Sequence, residues 1–243
     1  LKTITLASTA VEKLPQQWQS SLEELDMSQS SLLTDLGQLP ASLKELTIEG
    51  CDALKNLKGI EGCVSLIKLN ANQCDQLTSL EGLQHCTQLE ELHISVLVTD
   101  HAALINHKNT QIHVALSSDV GVFPEEWLAS INQLKDSELH LVRSSHLYGL
   151  SAEKSKFDYS QLSLLQNVKT LNLEKWDFLL NYDQMVWLLE MPNLQSLRFT
   201  QRGRMAYRMG SSVYDDLNKL RKLQETICTE GGFTRPAFLI AHD

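Results

Sequence analysis

Leucine and cysteine residues recur in this chain with a period of 23 residues. Segment 43–65, LKELTIEGCDALKNLKGIEGCVS, is followed directly by segment 66–88, LIKLNANQCDQLTSLEGLQHCTQ, and apolar residues occupy the same places in both. The repeated positions are Leu43, Leu46, Cys51, Leu54, Leu57, Ile60 and Cys63, and then Leu66, Leu69, Cys74, Leu77, Leu80, Leu83 and Cys86. A fixed period of this size is typical of solenoid proteins, in which each repeat packs against its neighbours.

Each repeat begins with a pattern that predicts a short β-strand. Side chains alternate between the two faces of a strand, so the first, fourth and sixth residues should point inward and the third, fifth and seventh outward. The fourth residues of the expected strands are Ile4, Leu25, Leu46, Leu69, Leu92, Ile112, Leu139, Leu171 and Leu197. Parallel neighbours need a crossover connection between them. We therefore predict an α/β solenoid of about nine coils with a parallel sheet along one side.

The segments between the expected strands change in character along the chain. The first five coils leave little room for helices, and Leu14-Pro15 and Leu39-Pro40 favour turns there. Three apolar stripes predict helices in the longer, later coils: Trp127, Leu128, Ile131 and Leu134 after Pro124; Tyr159, Leu162 and Leu165; and Met185, Leu188 and Leu189. We predict one solenoid over 1–243, with short repeats in 1–109, longer repeats in 110–210 and a helical cap in 211–243.

The repeat resembles that of the leucine-rich repeat family, LxxLxLxx(N/C)xxLxxLxxL, and in particular its cysteine-containing variants. The segment QLPASLKELTI is similar to the Leu-Pro repeats of bacterial effector proteins and of plant immune receptors. The later half resembles the ribonuclease-inhibitor type, with helices outside a parallel sheet. The resemblance implies a horseshoe with the sheet on its concave face, and it favours protein binding in an effector or immunity setting.

Charge and cysteine content narrow the expected partners and compartment. The chain has 21 basic and 30 acidic residues, a net charge of −9, which disfavours nucleic acid as the partner and favours a basic protein. It contains no apolar run long enough to span a membrane. Because it begins at Leu1 rather than Met, we expect it to be a trimmed piece. Buried free cysteines are typical of a reducing compartment, so we expect a cytoplasmic protein or one delivered into a host cytosol.

Motifs that carry catalytic chemistry are absent from the sequence. It has no glycine-rich phosphate loop, HExxH, GxSxG or CxxC. We therefore expect a protein that is not an enzyme and that needs no cofactor.

Three histidines occupy the fifth position of successive expected strands. His93, His113 and His140 should lie side by side on the open face, about 4.8 Å apart, with Glu91 and Glu138 two residues before the first and last of them. Two interpretations remain open. The set is either part of a polar binding surface or, alternatively, a metal-binding or metal-dependent hydrolytic site, since imidazole and carboxylate groups are zinc ligands.

Acidic residues dominate the other outward positions of the expected strands. Lys68 and Arg198 are the basic residues at these places. We predict a protein-recognition scaffold that binds a basic partner through this acidic face. The predicted partner-binding residues are Glu24, Asp26, Glu45, Glu49, Asn70, Glu91, His93, His113, Glu138, His140 and Arg198.

Overall fold

Parallel β-strands, paired in chain order, form a single sheet in the described part of the protein. The computed structural model describes residues 1–15, 17–107, 109–116, 121–134, 137–143, 157–174, 191–194, 196–200 and 237–238. Within them, ten strands follow one another across the sheet. They are β1 (Thr3–Thr5), β2 (Glu24–Asp26), β3 (Glu45–Thr47), β4 (Lys68–Ala71), β5 (Glu91–Ser95), β6 (Gln111–Leu116), β7 (Ser137–Arg143), β8 (Val168–Glu174), β9 (Ser196–Thr200) and β10 (Ala237–Phe238). The predicted solenoid with a parallel sheet is confirmed.

The strand register places equivalent residues of successive repeats opposite one another. The paired fourth-position residues are Ile4, Leu25, Leu46, Leu69, Leu92, Ile112, Leu139, Leu171 and Leu197. Backbone bonds continue the stacking beyond the strands: Met27 N–H donates to Thr47 C=O at 2.7 Å, and Ile48 N–H donates to Asn70 C=O at 2.8 Å. Each coil therefore rests directly on the next.

The repeated apolar positions form the core. All fourteen leucine, isoleucine and cysteine residues that define the two 23-residue repeats have no solvent exposure. They belong to one continuous cluster that extends from Leu14 to Leu194. The period in the sequence is thus the period of core packing.

One repeated position carries a small polar side chain that joins neighbouring coils. The Ser30 hydroxyl donates to Leu6 C=O at 3.3 Å, the Cys51 thiol to Met27 C=O at 3.3 Å and the Cys74 thiol to Ile48 C=O at 3.0 Å. Buried carbonyls need such partners, because an unsatisfied polar group in the core costs free energy. Serine and cysteine are small enough to occupy this position and can donate a hydrogen bond.

Cys51, Cys63, Cys74 and Cys86 should not react with iodoacetamide while the chain is folded. All four are buried free thiols, and burial raises the pKa of Cys63 and Cys74 to about 12 and that of Cys86 to about 11. Thiolate is the reactive form. Peptide mapping by mass spectrometry should find the four sites labelled only after denaturation. Labelling of any of them in the native chain, or a disulfide in the non-reduced protein, would contradict this expectation.

The connections outside the strands combine turns and short helices. The α-helix α1 spans Glu125–Ile131, with Pro124 at its N-cap and with Trp127 and Ile131 buried. Within the described residues, 3₁₀-helices span Leu83–His85, Ala102–Leu104 and Tyr159–Leu164. The stripe Tyr159, Leu162, Leu165 thus lies along a 3₁₀-helix, with Leu165 at its C-cap. Its uniform spacing of three residues matches the three-residue turn of that helix.

Two predicted helical regions fall outside the described residues: the stripe around Met185 and the helix expected within 211–243. From the latter segment the structure describes Ala237–Phe238, which pairs in parallel with β9. None of the helices that the structure describes has the length and apolar character that crossing a bilayer requires.

Candidate binding surface on the open face of the sheet

The alternation of side chains along each strand creates a polar face opposite the core. In β5, Leu92 and Ile94 are buried, whereas Glu91, His93 and Ser95 are half-buried on the other side. In β2 and β3 the same alternation buries Leu25 and Leu46. We call the side that carries the third and fifth strand residues the open face.

The three predicted histidines form a continuous ring stack on the open face. His93 lies opposite His113 and His113 opposite His140 in the strand register. The ring centroids of His93 and His113 are 4.3 Å apart with an interplanar angle of 13°, and those of His113 and His140 are 4.1 Å apart at 31°. The sequence prediction that these residues are neighbours is confirmed.

A carboxylate on the same strand contacts each end of the stack. Glu91 Oε1 lies 2.5 Å from His93 Nε2, and Glu138 Oε1 lies 3.1 Å from His140 Nε2. The Lys68 ammonium contacts the other oxygen of Glu91 at 2.9 Å. Partial burial acts to raise the pKa of Glu91, but hydrogen bonds from His93 and Lys68 outweigh it, so this pKa lies below its ordinary value.

His140 has both ring nitrogens in hydrogen bonds. Asn172 Nδ2 lies 3.1 Å from His140 Nδ1. An amide nitrogen donates, so Nδ1 accepts and Nε2 carries the proton that is donated to Glu138. These two hydrogen bonds fix the orientation of the His140 ring. The His140 side chain is 7% exposed.

The acidic row at the third strand position is interrupted by a lysine. Glu24 pairs with Glu45, Glu45 with Lys68, and Lys68 with Glu91. Because Lys68 also contacts Glu91, the third-position acids Glu24, Glu45 and Glu91 of the predicted acidic face divide into two parts. The first part is the exposed pair Glu24 and Glu45, and the second is Glu91 beside the histidine stack.

Three other predicted binding residues have structural hydrogen bonds. Asp26 accepts from the backbone N–H of Ser28 at 2.9 Å, and Asn70 accepts from that of Asn72 at 3.1 Å, so both side chains hold the turn after their strand. Asn70 also donates to Glu49 at 3.0 Å. Arg198 lies on β9, opposite Asn172 in the register.

His101 has a structural role that the sequence did not indicate. It looks like an ordinary turn residue, yet it is completely buried. Its backbone N–H donates to the Ser130 hydroxyl at 2.8 Å, its Nδ1 lies 3.1 Å from the same oxygen, and its ring meets the Trp127 ring edge-on. Burial lowers the pKa of His101 to about 4, against the opposing effect of Asp100. The neutral ring therefore anchors α1 to an adjacent coil.

The open face offers two kinds of chemistry to a partner. Its exposed carboxylates attract cations, and its histidine stack offers nitrogen ligands and hydrogen-bonding groups. No protein-family model and no curated protein sequence matches this chain.

Proposed function

We propose that the chain is a non-enzymatic protein-recognition scaffold that binds a basic protein through the open face. In this proposal it is a leucine-rich repeat horseshoe of about nine coils, with turns outside the N-terminal coils and helices outside the C-terminal ones. The setting would be that of an effector recognition domain or of an immunity protein that neutralises a basic toxin. It would act in a cytoplasm, where free buried thiols are stable.

The observation that carries the proposal is the exposed pair of carboxylates at Glu24 and Glu45. They lie opposite one another on neighbouring strands, and the described contacts include no cationic partner for either. Glu23, by comparison, contacts Lys2 at 2.6 Å and Lys44 at 2.8 Å. Like charges placed directly opposite on a sheet disfavour folding, and a basic partner would relieve that repulsion on binding.

The extended form of the sheet also supports the proposal. Solenoid proteins present long continuous surfaces to their partners, and each coil adds one strand of side chains to such a surface. The same acidic charge argues against nucleic acid, because a backbone of phosphates would be repelled.

Reversing both charges, Glu24→Lys with Glu45→Lys, should slow association with the partner by about tenfold or more at low salt. Both side chains are exposed, and among the described residues the change removes a hydrogen bond that the Thr3 hydroxyl donates to Glu24. The partner would be identified by affinity capture from the native cell, and rates would then be measured by surface plasmon resonance. The difference should shrink at physiological salt, where screening limits the reach of charges to about 8 Å.

A matched variant separates local charge from net charge. Glu12→Lys with Glu81→Lys makes the same change in net charge at exposed acids outside the described strands. We expect it to associate at close to the wild-type rate. Equal rates for the wild type and the Glu24/Glu45 variant at low salt would show that the pair does not face the partner.

A further inference from the structure

Glu91, His93 and His113 bring three metal-ligating groups together at one end of the histidine stack. One ligand atom from each residue lies within 4.8 Å of the other two, and no other group of three or more such residues is found in the described part of the chain. Two imidazoles and one carboxylate form a ligand set that zinc uses in proteins, with a fourth position left to water or another ligand. The chemistry and the separation both suit a divalent transition metal ion.

The structure favours these three residues over the set His93, His113 and His140. Both ring nitrogens of His140 lie within hydrogen-bond distance of Glu138 and Asn172, so binding a metal would cost one of these hydrogen bonds. His140 is also less accessible: 7% of its side chain is exposed, against 20% for His93 and 32% for Glu91. An ion arriving from solvent therefore meets Glu91 and His93 first.

Side-chain rotations would convert the hydrogen-bonded cluster into a coordination site. Tetrahedral zinc with bonds of 2.0–2.2 Å places its ligand atoms roughly 3.4 Å apart, so the 2.5 Å contact of Glu91 and His93 must open by just under 1 Å. The nearly parallel rings of His93 and His113 must also tilt, because imidazole lone pairs lie in the ring plane. Lys68 contacts Glu91 Oε2 and orients the carboxylate, so the Oε1 atom that contacts His93 is the one that would turn to the ion.

We propose that Glu91, His93 and His113 form a binding site for a divalent transition metal ion, of which Zn²⁺ is the best match. Imidazole ligands suit zinc, copper and nickel better than calcium or magnesium, which prefer oxygen ligands. The ion would replace the hydrogen bond between Glu91 and His93. This site is independent of the binding of a basic protein at Glu24 and Glu45.

The test uses the full chain after removal of metal with a chelator. Zn²⁺ binding is measured by competition with a chromophoric chelator, and Co²⁺ serves as a spectroscopic probe of the ligand set. We expect one equivalent of Zn²⁺ to bind, with at least tenfold weaker binding in Glu91→Gln, His93→Gln and His113→Gln. His85→Gln, which changes an exposed histidine in the 3₁₀-helix Leu83–His85, should bind like the wild type. Circular dichroism verifies that each variant is folded.

Three results would overturn the proposal. The first is Zn²⁺ binding by folded Glu91→Gln, His93→Gln or His113→Gln that equals that of the wild type. The second is absence of stoichiometric binding by the wild type itself. The third is thiolate-to-cobalt charge-transfer absorption in the Co²⁺ complex, which would place the ion on cysteine. The assigned ligands are supported if the Co²⁺ complex of the wild type lacks thiolate absorption. They are supported further if the three variants lose both the Co²⁺ spectrum and Zn²⁺ binding.

Discussion

Leu69→Ala should lower the free energy of unfolding by about 2–5 kcal/mol. Leu69 is completely buried in β4, and its backbone lies between those of Leu46 in β3 and Leu92 in β5. The substitution removes buried apolar surface and leaves a cavity between two coils. Since each coil of a solenoid packs only on its neighbours, few other elements are near enough to fill it. Equilibrium denaturation followed by circular dichroism measures the decrease.

Leu32→Ala is the matched control for this substitution. It removes the same atoms from a side chain that is 49% exposed, and surface substitutions usually change stability by about 0.5 kcal/mol or less. A Leu69→Ala protein as stable as Leu32→Ala would mean that Leu69 does not lie between packed coils.

The strand register could be predicted from the sequence because the repeat is also the unit of packing. Stacking coils places equivalent residues opposite one another, so the leucine period identifies both the strands and their partners. Strand β6 is preceded by Asn109, at a position where the repeat has a leucine. It nevertheless keeps its register, with Ile112 opposite Leu92 and Leu139. The helix type at Tyr159–Leu164 was harder to predict, since apolar spacings of three residues fit either an α-helix or a 3₁₀-helix over so short a segment.

The histidine stack could be predicted only as far as the backbone determines it. Strand spacing sets neighbouring residues about 4.8 Å apart, whereas the ring centroids are 4.3 and 4.1 Å apart because the side chains lean together. The contacts of Glu91 with Lys68 and of His140 with Asn172 depend on rotamers, which a repeat pattern does not encode. Asp26 and Asn70 were assigned to the binding surface for their register position alone, although their side chains hold turns.

His101 shows where the repeat pattern stops being informative. It lies in a connection between strands, where no periodic position predicts burial. It contacts Ser130 and Trp127, which both lie in α1. Ser130 is 29 residues further along the chain. Long-range contacts of this kind depend on how an insertion packs over the coils, so the residue could not be distinguished from the exposed His85 by its sequence neighbours.

Gly59→Ala should be as damaging as the truncation of a core leucine, lowering the free energy of unfolding by roughly 2–5 kcal/mol from backbone strain and steric overlap together. Gly59 has a φ of +101°, and a Cβ atom there would lie 1.5 Å from the carbonyl oxygen of Gly37 in the preceding coil. Gly37 and Gly82 precede and follow it at the equivalent turn, and both also have positive φ. The missing side chain is therefore what allows adjacent coils to approach at this turn.

Gly62→Ala provides the comparison, because it adds the same methyl group three residues away. Its Cβ would meet no atom closer than Leu39 C=O at 3.6 Å, an ordinary contact, and its φ is not in the left-handed region. The substitution also reduces the freedom of the unfolded chain, so we expect stability equal to the wild type or higher by up to about 1 kcal/mol. The melting temperatures of the two variants should therefore differ by several degrees, and their urea midpoints should differ clearly. If Gly59→Ala unfolds together with Gly62→Ala, the backbones of adjacent coils cannot be in contact at Gly37 and Gly59, and the stacking of the short repeats must be wider at this turn.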